Sequence, residues 1–345
     1  MTKHAAHGRL DDAPLDIPAR PLVSIVIPCL NEERYITALL DSLADQDYGA
    51  DGIEVLVADG GSTDRTRELV RAYPSHFARL ELVENPGRIT VAGLNAGMDA
   101  SRGDCWIIIG AHSQLRSDFV RASVEAMQRT GAACVGGPIE TIGEGTVGKA
   151  IAAAMSSPFG VGNAKFRYAS TEGEVDTVPF GCYHRKVWDV VGRFDETVDG
   201  ADEDSYNARV REAGGKIMLI PAIRSSYFPR RTLQALAHQY WEYGAAKGTL
   251  LSRGRPLQAR HLAPSGMVIG GPALFLLGRF WNLARMALKA LGVLYIIGGL
   301  VTSRSAAKKA GANPALTFLA MATMHATYGA GFLWGAWKER RQGTA

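Results

Sequence analysis

Three polar clusters stand directly after short apolar runs. Residues 23–27 (VSIVI) lead into Pro28-Cys29-Leu30-Asn31-Glu32-Glu33. Residues 54–58 (EVLVA) lead into Asp59-Gly60-Gly61-Ser62-Thr63-Asp64, and residues 106–109 (WIII) into Gly110-Ala111-His112-Ser113. The second cluster is the sharpest. Two glycines let the backbone turn tightly, and Ser62, Thr63 and Asp64 can cap a following helix. Capping does not account for Asp59, an acid at the end of a run that reads as buried. A carboxylate there can accept a hydrogen bond from the N–H of a base such as uracil.

These clusters need a frame that holds them together. The apolar runs at 23–27, 54–58, 80–83 and 106–109 read as strands. Residues 32–45, with Ile36, Leu39, Leu40 and Leu43 at helical spacing, read as a helix. Residues 64–73 and 91–101 read as two more. Strands alternating with helices at this pace predict an α/β domain with a mostly parallel sheet. In such sheets ligands bind beyond the carboxyl ends of the strands, which is where the three clusters fall.

The chain has 345 residues, 47% hydrophobic and 21% charged, enough for one large domain and an appendage. A net charge of +4 with no long basic run argues against a nucleic-acid partner. Cys29, Cys105, Cys134 and Cys182 form no CxxC pair, which speaks against zinc and redox motifs and suits a reducing compartment. Residues 1–20 are polar, lack the apolar stretch of a signal peptide and are expected to be a flexible tail.

Past residue 230 the composition changes. Residues 231–263 mix aromatic, apolar and basic side chains, as an amphipathic segment at a membrane surface does. Residues 264–337 are hydrophobic. The stretch 262–303, broken only by Arg279, Arg285 and Lys289, is long enough for a hairpin of two spans, and 314–337 is a second block. Basic residues follow each block, ending in a basic tail at 338–345, and basic groups tend to stay cytoplasmic. The expectation is a cell-membrane protein with its folded part in the cytoplasm.

The motifs PCLNEE, DGGSTD and NPGRITVAGLNAG, in that order, resemble the inverting family-2 glycosyltransferases with a GT-A fold. FGCYHRKVWDVVGRFDE and ADEDSYNARVREAGGKI are similar to the segments that carry that family's acceptor side and catalytic acid. The resemblance covers most of residues 22–230. It is closer still to the succinoglycan-type exopolysaccharide glucosyltransferases of bacteria, which have a DAH-like stretch, a YFPRR-like stretch (residues 227–231 here) and a glycine-rich hydrophobic tail.

The resemblance implies a Rossmann-like nucleotide-diphospho-sugar transferase domain over 21–230 with C-terminal membrane-associated helices. It implies a UDP-sugar donor bound by Pro28, Asn31, Glu32, Asp59, Gly61, Asp64, Arg88, Gly110 and Ala111. His112 falls on the last acid of the family's metal-binding DxD motif, and Gly110 on the first. The implied cofactor is a divalent metal, Mn²⁺ or Mg²⁺, and imidazole suits Mn²⁺ better. The catalytic base falls in Asp202-Glu203-Asp204; counting back from Arg209 favours Glu203, with Asp204 second. A carboxylate is needed there because an acceptor hydroxyl is a poor nucleophile. Arg230, Arg231, Gln239 and Trp241 fall on the acceptor or membrane side. The implied acceptor is a lipid-linked saccharide. A polyprenyl-phosphate sugar synthase and a non-catalytic donor-binding partner are the alternatives, and an oligomer is compatible with all three.

Overall fold

The computed structural model describes residues 8–12, 14–111, 113–162, 164–197, 202–254, 257 and 259–342. His112 lies outside the described residues, and of Asp202 only the backbone is described. In chain order the elements are β1 (Val23–Cys29), α1 (Ile36–Ala44), β2 (Ile53–Asp59), α2 (Thr66–Ala72), β3 (Arg79–Glu84), α3 (Thr90–Ala100), β4 (Cys105–Ile108), β5 (Ser113–Leu115), α4 (Phe119–Thr130), β6 (Cys134–Gly136) and β7 (Ile139–Thr141). Then follow α5 (Gly145–Met155), α6 (Pro158–Val161), β8 (Gly173–Glu174), β9 (Cys182–His184), α7 (Arg185–Val191), α8 (Asp202–Glu212), β10 (Ile217–Leu219) and β11 (Ser225–Tyr227). Four long helices close the described chain: α9 (Leu233–Ser252), α10 (Ala259–Leu277), α11 (Asn282–Ala310) and α12 (Pro314–Gln342).

The chain divides into two compact units. The first holds residues up to Glu140 together with Ala169–Tyr227, and the second holds Thr141–Tyr168 and everything from Phe228 on. The second unit thus takes in α5 and α6, which the sequence alone does not separate from the α/β domain.

The first unit is built on an eight-stranded sheet in the order β3-β2-β1-β4-β9-β6-β10-β8. β3, β2, β1 and β4 run parallel; β9 is antiparallel to both β4 and β6. β2 has no exposed residue and β1 only a half-buried Pro28, so apolar side chains fill both faces. α1 lays Ile36, Leu39, Leu40 and Leu43 into the core, one stripe of a 3.6-residue repeat. α1 starts at Ile36 rather than at 32 because Asn31 takes a left-handed φ of 58° and residues 32–35 form a turn closed by Tyr35 N–H to Glu32 O at 2.9 Å.

Part of the segment expected as a tail touches the first unit. Leu10 is buried, and its N–H donates to Ala213 O at 2.8 Å. Leu15 is also buried, and Gln128 donates to Pro18 O. Two leucines in an otherwise polar stretch are enough to pin it, because each gains by leaving water.

In the second unit α9 and α12 meet backbone to backbone. A Cβ on Gly244 would lie 2.1 Å from Tyr328 O, and one on Gly248 2.0 Å from Phe332 O. Seen from the other helix, a Cβ on Gly331 would lie 2.2 Å from Trp241 O, and one on Gly335 2.0 Å from Ala245 O. Paired small residues four apart let helices approach this closely. His325 of α12 bridges Tyr295 Oη and Phe159 O, at 2.9 Å each, so it packs the bundle, as its isolated place in an apolar stretch suggests.

α11 is long and apolar enough to cross a membrane: 29 residues, a mean hydropathy of 1.7, and only 11% of its apolar window buried. Leu283, Met286, Leu294 and Val301 are each at least 65% exposed, as is Phe280 just before the helix. The apolar part of α10, His261–Leu277, is shorter.

Candidate active site

The strand order turns back at β1, whose two neighbours are β2 and β4, and in open α/β sheets ligands bind at such a switch point, beyond the carboxyl ends of the strands. Register puts Cys29, Asp59 and Glu84 in one row there. Gly60 N–H donates to Cys29 O at 2.9 Å, and Asn85 N–H to Asp59 O at 2.9 Å, so the three loops leave the sheet tied together.

Asp59 is fully buried. Its carboxylate accepts from Gly61 N–H at 3.1 Å, from Ser62 N–H at 3.1 Å and from the Arg67 guanidinium at 2.8 Å. Burial pushes this carboxyl up; the hydrogen bonds from Ser62, Arg67 and Gly61 outweigh it and hold Asp59 below its ordinary value. Gly61, at φ 85°, supplies the left-handed step the turn requires. Arg67 also pairs with Glu84, and the two carboxylates hold its guanidinium firmly charged. Arg67, the second residue of α2, stands among Arg65 and Arg71, and no local pattern marks it as the partner of Asp59.

The first two clusters interlock. Asn31 N–H donates to Ser62 Oγ at 2.8 Å, and Thr63 N–H to Asn31 Oδ1 at 2.8 Å. Glu32 N–H donates to Thr66 Oγ1 at 2.8 Å, and Glu33 N–H to Asp64 Oδ2 at 3.1 Å. Asp64 also accepts from Thr66 N–H at 3.0 Å, a capping role at the start of α2. Arg88 takes a left-handed φ of 58°, which lays it over this turn: its Cα is 3.5 Å from where a Gly60 Cβ would be, and its guanidinium 4.0 Å from where a Gly61 Cβ would be. Pro28, next to last in β1, is half-buried. Burial, then the charges of Asp59 and Glu32, push the Cys29 thiol up to about 12, so it is no nucleophile.

At the end of β4, Ile109 N–H continues the pairing to Val26 O, and Gly110 follows. Among the described residues a Cβ on Gly110 would meet Ser113 Oγ, at 3.8 Å, and nothing closer. Gly110 and Ala111 offer no side-chain metal donor. Among the described residues no group of three or more His, Cys, Asp or Glu is gathered to hold a metal ion. The described residues therefore do not form a metal site of their own.

α8 carries the acidic triplet. Tyr206, Asn207 and Val210 are buried against the sheet. Glu203 precedes them by three, four and seven residues, in the middle of that face, while Asp204 is turned roughly 100° away. The Glu203 charge is felt at Tyr183 of β9 and Cys134 of β6, both held well above their ordinary values first by burial. Beneath α8 lies an aromatic box. Trp106 of β4 stacks on Tyr183 at 4.2 Å, and Phe194 stacks on Tyr206 at 4.0 Å. Asn95 of α3, fully buried, clamps the approach to this helix: it accepts from Phe194 N–H at 2.8 Å and donates to Phe194 O and Glu196.

Arg230, Arg231, Gln239 and Trp241 belong to the second unit. Arg231 pairs with Glu144 at 2.8 Å, with both side chains exposed. Gln239 is buried in α9 and donates to Tyr243 Oη at 3.0 Å. Trp241 lies 6.5 Å from Trp334, ring to ring.

A mixed, mostly parallel sheet with its switch point at β1, an acid-anchored turn beside it and an acidic helix after β9 make up a Rossmann-like fold of GT-A type. The fold is shared with the mannosyltransferase PcManGT from Pyrobaculum calidifontis, solved with GDP-Man and Mn²⁺: TM-score 0.63, 19% identity, covering 95% of this chain and 90% of that one. Residues 24–188 match the family described as glycosyl transferase family 2. A dolichyl N-acetyl-alpha-D-glucosaminyl phosphate 3-beta-D-2,3-diacetamido-2,3-dideoxy-beta-D-glucuronosyltransferase of Methanococcus voltae is 32% identical over 240 residues, 67% of this chain and 74% of its own length. The succinoglycan biosynthesis protein ExoA of Rhizobium meliloti (strain 1021) is 33% identical over 236 residues, 67% of this chain and 71% of its own length. The chain belongs to glycosyl transferase family 2 and is a glycosyltransferase.

Proposed function

We propose that this enzyme moves a hexose from a UDP-sugar to a hydroxyl of a lipid-linked saccharide, inverting the anomeric centre, in the synthesis of an exopolysaccharide or cell-envelope glycan. The observation that carries the reading is the helical phase of α8, which puts Glu203 on the same face as the buried Tyr206, Asn207 and Val210. In this reading Glu203 takes the proton of the acceptor hydroxyl as its oxygen attacks the anomeric carbon. The bond from that carbon to the diphosphate oxygen breaks, and the nucleoside diphosphate leaves with the electron pair. Asp59 and its turn hold the nucleotide, and the Arg88 guanidinium offsets charge on the donor.

The names of two relatives support the acceptor: one acts on a dolichyl-linked sugar phosphate, the other serves succinoglycan synthesis. The exposed apolar length of α11 supports a site at the cell membrane, with the catalytic unit on the cytoplasmic side. Anchoring raises the effective concentration of a bilayer-bound acceptor. A divalent ion enters the reading only through His112, whose imidazole favours Mn²⁺ over Mg²⁺; no step above runs through it.

The test is a screen of labelled UDP-hexoses with purified protein and membrane lipids, with the anomeric configuration of the product read by NMR. The expected product is an elongated lipid-linked saccharide with inverted configuration. Sugar attached directly to a lipid phosphate would replace the reading with a polyprenyl-phosphate sugar synthase. Binding of UDP-sugar without turnover on any acceptor would replace it with a donor-binding partner.

A further inference from the structure

A buried hydrogen-bond chain ties α8 to the sheet one turn behind Glu203. The Tyr183 hydroxyl of β9 donates to Asn207 Oδ1 at 2.8 Å. The Asn207 amide donates in turn to Thr177 Oγ1 at 2.9 Å, in the loop between β8 and β9. Tyr183 and Asn207 are fully buried, and Thr177 is 5% exposed. An asparagine in mid-helix with no solvent is costly unless both ends of its amide are satisfied, and here each end has one partner. Apolar packing alone would let the helix roll a little about its axis. An amide pinned on both sides cannot follow such a roll without leaving polar atoms unpaired. Glu203 shares this face, so the rotation that satisfies Asn207 also sets the direction of the Glu203 carboxylate.

We infer that Tyr183, Asn207 and Thr177 are positioning residues for the glycosyl transfer, acting through α8 to aim its first-turn carboxylate. The inference rests on the reading of Glu203 as the base. Trp106, stacked on Tyr183, carries the same constraint across to β4, the strand that leads into Gly110 two residues past its end. One aromatic ring thus braces the donor-side strand and the hydroxyl that holds the base helix. The arrangement separates two energies: the donor pocket at Asp59 is built by other strands and loops, so loosening the chain affects the chemical step and spares the nucleotide.

The experiment compares Tyr183→Phe, Thr177→Val and Thr177→Ser with the parent enzyme, measuring kcat, donor KM and UDP affinity on folded protein. Tyr183→Phe removes only the donor hydroxyl, and Thr177→Val only the acceptor oxygen. Both are expected to lower kcat about tenfold or more while donor KM and UDP affinity change by less than about twofold. Thr177→Ser keeps the oxygen and is expected to retain kcat within about twofold. A purely structural role would lower the melting temperature of Tyr183→Phe and Thr177→Val and leave the kcat of folded protein unchanged, and that result overturns the inference. The base reading fails separately, if Glu203→Gln and Asp204→Asn together leave turnover intact.

Discussion

The Arg67 guanidinium sits 2.8 Å from Asp59 Oδ2, and its other arm grips Glu84. An acid buried at the end of a central strand is thereby kept ionised, and the turn that follows it is held rigid before any ligand arrives.

Replacing Asp59 by Asn keeps the shape and removes the charge. UDP affinity should drop about tenfold or more, since a neutral amide accepts more weakly than the carboxylate and no longer pairs with the Arg67 charge. Because the folded-state value of Asp59 is depressed, its stabilisation is present above the ordinary Asp value of about 3.9 and is lost as pH falls through the lower folded value. Thermal unfolding followed from neutral to acid pH should show this loss in the parent enzyme and a flatter profile in Asp59→Asn.

Asn95 reaches across from α3 to the backbone of Phe194, and the chain between Phe194 and α8 leads directly to the triplet. Asn95→Ala leaves a buried N–H and a buried carbonyl without that partner, at a cost of about 1–3 kcal/mol. Denaturant unfolding should register that loss, and kcat should fall with it while UDP binding holds.

His112 follows Gly110 and Ala111 in the sequence and is the metal ligand of the proposed reading. Turnover should be greater with Mn²⁺ than with Mg²⁺ and should fall on chelation. His112→Ala should raise the Mn²⁺ concentration needed for half-maximal activity roughly tenfold. Titration of activity with each ion checks both statements.

Gly248 is one of the glycines that let α9 approach α12. Gly248→Leu drives a side chain into the Phe332 carbonyl, an overpacking worth about 1–3 kcal/mol. The expected result is loss of folded protein from the membrane fraction with little change in the sheet signal by circular dichroism.

Much of the α/β unit is legible in the sequence because buried parallel strands leave unbroken apolar runs, and polar residues crowd at their carboxyl ends. VSIVI and EVLVA mark β1 and β2, and DGGSTD marks its turn. The Arg67–Asp59 pair is less legible, since it joins a strand end to a helix face, and nothing in the spacing distinguishes Arg67 from Arg65 or Arg71. Asn207 and Thr177 are illegible for the same reason: their meaning comes from residues 24 and 30 positions away. The grouping of α5 and α6 with the C-terminal helices is likewise set by packing, through contacts such as His325 with Phe159 O, which no local pattern announces. Motif spacing already favours Glu203 over Asp204, but a slip of one residue in register would reverse it. Helical phase favours Glu203, because Tyr206, Asn207 and Val210 show which way α8 faces.

The account stands most directly on which acid takes the proton. Turnover of Glu203→Gln and Asp204→Asn should be measured separately with a UDP-sugar and lipid-linked acceptor, with UDP binding followed by calorimetry as the control for folding. Glu203→Gln is predicted to lose roughly 10²–10⁴-fold in kcat with UDP affinity unchanged, and Asp204→Asn to stay within about tenfold of the parent enzyme. Full activity in Glu203→Gln, with Asp204→Asn inactive but still binding UDP, would contradict it.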